Sequence, residues 1–246
     1  MANRFQSNGL VTLTGFLILA TTLLSGCNFS ATGSNLQGKR LFEQGQFAQA
    51  IDMFQRSIQA NPRNADAYYN MASTYLFLGK QQKNSSWIQQ ADQLYRQALN
   101  LDPNHADAYR GLASLMVENG RAADAFQMVQ NWRARQPGSA EPLIELARMF
   151  RETGNRGTAS QLLVDALNID GTNAQALKDM GQIREEAGEY ALALQNYIRS
   201  YQSNNLQTDV AQKIASLQGL TSSAGQTFPF QPGQNRLGSI NQYVPR

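Results

Sequence analysis

Glycine recurs at a fixed step in this chain. Gly120, Gly154 and Gly188 lie 34 residues apart, Gly45 and Gly79 repeat the step, and only the interval from Gly79 to Gly120 differs, at 41. Alanine gives a second series with the same spacings in Ala50, Ala91, Ala125, Ala159 and Ala193. Two independent series with one period describe a single supersecondary unit used five times. Such a unit is too small to bury its apolar face alone, so neighbours must stack to make a core. The seven additional residues fall between Gly79 and Ala91 and are placed at Gln81 to Trp87. The five repeats are then 31–64, 65–105, 106–139, 140–173 and 174–207.

Each repeat reads as two helical stretches with a glycine between them and a breaker at the end. In the second repeat Tyr68, Met71, Ala72 and Tyr75 recur at helical spacing, and Gly79 is expected to end that helix with a positive φ. The second helices show the same spacing in Ala50, Phe54, Ser57 and Ile58 before Pro62, and in Ala91, Tyr95, Ala98 and Leu99 before Pro103. Small residues stand at the eighth place of each repeat (Gly38, Ala72, Ala113, Ala147, Gly181) and at the twentieth, where helices must approach closely. Larger ones at the twenty-fourth (Phe54, Tyr95, Val129, Leu163, Tyr197) are expected to fill the space between repeats.

Period 34, small residues at places 8 and 20, a large one at 24 and Pro at 32 resemble the tetratricopeptide repeat (TPR). The resemblance covers residues 31–207 and implies an all-α helical-repeat solenoid of five helix-turn-helix repeats. Four positions depart from it: Gly171 and Asn205 replace Pro, Arg184 takes an apolar place, and Trp132 stands where a small residue is usual, which predicts altered packing around that indole. Thr208 to Leu217 carries one more helical stripe, Val210, Ile214 and Leu217, and reads as the helix that caps the last apolar face. The repeat domain with its cap is therefore 36–219, and the Gly-, Ser-, Gln- and Pro-rich tail 220–246 is expected to be disordered.

The N-terminus carries an address. A cationic start with Arg4 precedes the apolar run from Leu10 to Leu24, which is too short to span a bilayer comfortably but suits the core of a secretory signal. Leu24-Ser25-Gly26-Cys27 follows directly and resembles a bacterial lipobox, which implies a signal peptide at 1–26 and diacylglycerol on Cys27. Cys27 is the single cysteine of the 246 residues, so lipidation would use the only thiol. Asn28 in place of Asp points, by the same resemblance, to the outer membrane with the protein facing the periplasm. Residues 27–35 read as a lipidated tether, whose small polar part (Asn28 to Asn35) reaches about 25 Å at most when extended.

Composition narrows the function. One histidine, one cysteine and a formal charge of +3 leave few parts for a metal centre and no footprint for a nucleic-acid binder. Phosphate-binding, zinc-protease and nucleophile-elbow motifs are absent from the sequence, so no enzyme and no cofactor are expected. His105 reads as a cap or a solvated side chain in a turn. Function is expected instead on the first helices, whose places 2, 5, 9 and 12 project together. There Tyr69, Leu76 and Ile144 are candidates for apolar side chains of a peptide client, Arg110, Arg148, Arg151 and Lys178 for its carboxylates, with Asn70, Ser73 and Ser114 beside them. The carboxylate clamp of chaperone-tail receptors is absent: Asn70 fits it, but Asn35, Lys39, Asp107 and Gly111 do not. The sequence thus points to a lipid-anchored scaffold for a protein partner in the cell envelope, resembling pilotins or adaptors of cell-wall enzymes. The alternative is a self-assembling structural lipoprotein, a homo-oligomer without a client.

Overall fold

The computed structural model describes residues 30–223, and every regular element among them is an α-helix. They fall into two compact units that divide between Pro137 and Gly138. The N-terminal unit holds α1 (30–43), α2 (Phe47–Ala60), α3 (Ala65–Gln81), α4 (Ser85–Leu101), α5 (Ala106–Glu118) and α6 (Ala122–Arg135). The C-terminal unit holds α7 (Glu141–Glu152), α8 (Arg156–Ile169), α9 (Ala174–Glu186), α10 (Tyr190–Ser203) and α11 (Thr208–Ser223). This is one helix pair per repeat and one further helix, the helical-repeat solenoid that the period requires. The signal segment, Cys27 and the tail beyond Ser223 lie outside the described residues.

Size restrictions at the repeated places are what close the pairs. Ala50, Ala91, Ala125, Ala159 and Ala193 are all fully buried, as are Ala72 and Ala113. Where place 8 is glycine the reason is steric: a Cβ on Gly38 would stand 2.5 Å from the Phe54 ring, and one on Gly181 2.8 Å from the Tyr197 ring. Phe54 and Tyr197 at place 24 therefore fill a hole within their own repeat, and they also join clusters with Met71 of the next repeat and with α11, so they pack between repeats as expected. Tyr95 does both, since its hydroxyl meets Ser73 Oγ at 3.0 Å within the repeat while its ring covers Gly111 of the next.

Polar side chains set the helix ends. Asn64, Asn84, His105, Asn155 and Asn173 each accept a backbone N–H of the first turn that follows. At the start of the turns between repeats, Asn61, Asp102, Asp170 and Asn204 accept the N–H two residues on. These side chains hold the turn whether or not Pro stands in it, which is why Gly171 and Asn205 leave the repeat intact. The hydrogen bonds from Thr172 also hold the Asp170 carboxyl below its usual pKa.

Three boundaries differ from the sequence expectation. Gly45, Gly120, Gly154 and Gly188 have positive φ between helices, but Gly79 lies inside α3 and Lys83 takes the left-handed turn instead. The insertion does not lengthen the turn, which remains Gln82 to Asn84: α3 is four residues longer than α5, and α4 three longer than α6. Helix absorbs the insertion because four residues add about one turn and keep the buried face in register. Gly79 then serves close approach, for a Cβ there would meet Ile88 at 2.9 Å.

At the N-terminal end, residues 30–35 of the supposed tether belong to α1. Ala31 is 1% exposed and its carbonyl accepts the Ser57 hydroxyl at 2.8 Å, while Asn64 Nδ2 donates to the same hydroxyl at 2.9 Å. A small polar stretch was sufficient to look like linker, yet Ala31 is the first place of the first repeat. At the other end α11 runs to Ser223, past Gly219, because one exposed helical glycine costs only about 1 kcal/mol.

Candidate functional site

In the N-terminal unit the first helices α1, α3 and α5 are tied side by side. Asn70 Nδ2 donates to Asn35 Oδ1 at 3.0 Å, and Lys80 reaches Glu118 at 2.7 Å. The half-buried Tyr69 ring lies 6.0 Å from that of Tyr95 and 5.0 Å from the imidazole of His105. Ser73 sits on the same face, bonded to Tyr95, with Leu76 half-buried one turn on. Arg110 donates to Asp107 at 2.7 Å, and Ser114 Oγ lies 3.4 Å from Glu118. His105 is the cap of α5 through Nδ1, and its Nε2 stands 3.2 Å from Asp66 Oδ1. The result is an aromatic and amide surface on which the carboxylates and cations are already matched.

Burial pushes the Tyr95 hydroxyl up to about pH 12, against the opposing hydrogen bond from Ser73. The folded state therefore favours the protonated phenol more than the unfolded chain does. The associated stability is present below about pH 10 and is lost as pH rises towards 12. Tyr95→Phe should lower stability at neutral pH by about 1 kcal/mol through the lost hydrogen bond. It should also flatten the alkaline fall in urea midpoint between those two pH values, and an unchanged slope would contradict the burial argument.

In the C-terminal unit the face is built by α7, α9 and α11. Arg151 donates to Gln182, Lys178 reaches Asp209 at 3.1 Å, and Lys213 reaches Glu185 at 2.7 Å. Tyr197 donates to the other oxygen of Glu185 at 2.8 Å. Although burial works in the opposite direction, the hydrogen bonds from Lys213 and Tyr197 hold Glu185 below the usual carboxylate range. Together Lys178, Gln182, Tyr197, Asp209, Val210, Gln212, Lys213 and Ser216 line a recess of about 370 Å³.

Besides Arg110, Arg151 and Lys178, which already have partners, two more of the residues expected to meet a client are spoken for. Ile144 is only 2% exposed and is a core residue of its unit, which corrects its assignment to the groove. Arg148 is held by Glu145 and Glu152, with Nε 3.2 Å from both Glu145 oxygens. Burial opposes the charge on Arg148, but these two carboxylates outweigh it and raise its pKa. A lone arginine waiting for a partner's carboxylate is thus not what this position provides.

Sequence reasoning missed the contribution of α11, whose Asp209 and Lys213 stand on the face as well as in the cap. It also missed Glu145, although the Glu145–Arg148 spacing is that of an i,i+3 pair. On another side of the N-terminal unit, a recess of about 660 Å³ opens between α4 and α6, bordered by Arg96, Leu99, Tyr109, Leu112, Met128 and Arg135. The Tyr109 ring at its wall stacks on Trp132, with centroids 4.2 Å apart and planes 7° from parallel. Among the described residues there is no cluster of three or more metal-ligating side chains, and no helix is long and apolar enough to cross a membrane.

Tetratricopeptide-repeat family models match residues 38–79, 65–105 and 88–148. Among solved structures, a thermophilic TPR protein of Thermus thermophilus is 19% identical, covering 76% of this chain and 98% of its own, with a TM-score of 0.58. The structure of pilF from Pseudomonas aeruginosa is 17% identical, covering 82% of this chain and 88% of its own, with a TM-score of 0.51. At these identities the likeness is one of fold. No curated protein matches the chain in sequence.

Proposed function

We propose that this tetratricopeptide-repeat chain is a scaffold of the cell envelope, anchored by lipid on Cys27 to the outer membrane and holding a protein partner from the periplasmic side. TPR folds serve generally as protein-binding scaffolds. The observation that carries the reading here is the pair of first-helix faces. One displays Tyr69, Asn70, Ser73 and Leu76 beside a matched Arg110–Asp107 pair, and the other displays Lys178, Gln182 and Lys213 around a recess, with Arg151 bonded to Gln182. The first offers amides, hydroxyls and half-buried aromatic and aliphatic surface, and the second amides, hydroxyls and charged groups, which together suit a polypeptide with mixed side chains better than a small ligand. A pilotin-like role and an adaptor role for a cell-wall enzyme are two forms of this reading.

The anchor is supported by the lipobox-like Leu24-Ser25-Gly26-Cys27 directly behind an apolar run, and by the lack of any other use for a lone thiol. Cys27→Ala should leave the protein unprocessed or in the soluble fraction, since a single lipidated residue is the only membrane attachment the reading invokes. Fractionation that finds the variant processed and membrane-bound would overturn the anchor. For the client, photo-crosslinkers at Tyr69 and at Lys178 should capture the same envelope protein. Capture of nothing, together with oligomers that grow with protein concentration, would replace the scaffold by a self-assembling structural protein.

A further inference from the structure

The start of α1 limits where the first repeat can be. Three peptide steps separate Cys27 from Ser30, and in any conformation they span at most about 11 Å. The turn that follows is fixed to the body of the unit by the Ser57 hydroxyl on the Ala31 carbonyl. A diacylglycerol on Cys27 therefore holds the first turn of α1 at the bilayer surface and not at the end of a 25 Å leash.

α1 has one side turned inward, with Ala31 and Gly38 buried and Leu41 and Phe42 packed towards the core of α2 and α3. The opposite stripe, Gly33, Leu36, Gln37 and Arg40, is exposed, and Leu36 is open to 50%. Lys39 adjoins it, and the one acidic residue of α1 is Glu43 at its C-terminal end. Neither Lys39 nor Arg40 enters an ion pair among the described residues, in which they are like Arg63, Lys83 and Arg133 and unlike Arg56, Lys80 and Arg96. An exposed aliphatic side chain next to two cations that form no ion pair among the described residues, on the helix nearest the anchor, matches the headgroup region of an anionic bilayer.

We propose that the Gly33–Leu36–Gln37–Arg40 stripe of α1 rests on phospholipid headgroups, so that the first repeat is lowest and the later repeats of its unit stand off the membrane. This deepens the proposed anchoring at Cys27 and rests on it. The full chain would be produced in a diderm bacterium with a benzophenone side chain at Gln37 or at Gln130, an exposed position on α6. Irradiated envelopes would be read by mass for attached phospholipid, and the Cys27 peptide would be read separately for its lipid. Capture from position 37 should exceed that from 130 by about tenfold, and Leu36→Asp with Arg40→Asp should reduce it about fivefold. Equal capture at the two positions, no response to the double variant, or capture of protein in place of lipid at 37 would overturn the docking while leaving a lipidated Cys27 standing. An unmodified Cys27 would remove the anchoring and, with it, this orientation.

Discussion

Trp132→Ala should destabilise the N-terminal unit by about 3–5 kcal/mol, although alanine or serine is what the other four repeats hold at that place. Ser57, Ala98, Ala166 and Ser200 are all completely buried there, and two of them use a hydroxyl to bond the first carbonyl of their repeat, Ser57 to Ala31 and Ser200 to Ala174. A return to the common residue would look like a stabilising consensus change. The structure argues the opposite. The indole is 1% exposed and stacked on Tyr109, whose hydroxyl in turn accepts from Arg135. Truncation leaves an unfilled cavity and uncovers the Tyr109 ring, and a helix pair already set around an indole cannot close by its full width. Trp132→Phe is the discriminating control. It gives up volume, but it also removes an indole N–H that is buried without an acceptor, so its loss should be only about 1–2 kcal/mol. Urea unfolding followed by circular dichroism gives both values. An alanine variant as stable as the parent would show that the pair collapses around the small residue as its neighbours do.

The repeats were legible because stacking makes the same demand at the same place five times. Ala50 and its four counterparts could be named from spacing alone, since a helix crossing at that point admits no larger side chain. Gly79 was misread because its letter matches that of Gly45, Gly120, Gly154 and Gly188 while its neighbourhood does not. An insertion changes how many residues precede the turn, and residue counting cannot say whether the excess forms coil or helix. Four residues fit one turn closely enough for α3 to continue, and the left-handed position passed to Lys83.

The candidate site was legible as a set of places and not as a set of contacts. Helical spacing correctly brings Tyr69, Ser73 and Leu76 to one face, because i, i+4 and i+7 share a stripe in any helix. Whether a cation on that stripe is open to a partner depends on side-chain reach from adjacent helices. Lys178 is closed by Asp209 from α11, and Arg151 by the Gln182 amide from α9, each partner standing 31 residues on, one period less three, an offset that only the packing of neighbouring first helices reveals. Arg148 is different, for its partners Glu145 and Glu152 are local and could have been found from the sequence.

Removal of α11 is the second large effect to expect. The face that α10 turns outward carries Ala193, Leu194 and Tyr197, and α11 covers it with Val210, Ile214 and Leu217, all six buried in one cluster. At about 1.5–3 kcal/mol for each fully buried aliphatic side chain, losing the three on α11 should cost the C-terminal unit about 4.5–9 kcal/mol. The ion pairs Lys178–Asp209 and Lys213–Glu185 go as well, but each has an exposed partner and adds little. Such a loss is a large part of the stability of an ordinary domain, and it corresponds to a fall in Tm of about 20 °C or more. A chain ending at Gln207 should also aggregate with concentration, because the uncovered Leu194 and Tyr197 surface matches nothing but another helix. A chain ending at Ser223 retains the whole of α11 and should melt with the parent. Thermal scans of the two truncations at several concentrations decide the matter. Coincident curves would mean that α11 lies on the last repeat without holding it, and the cap would have to be sought beyond Ser223.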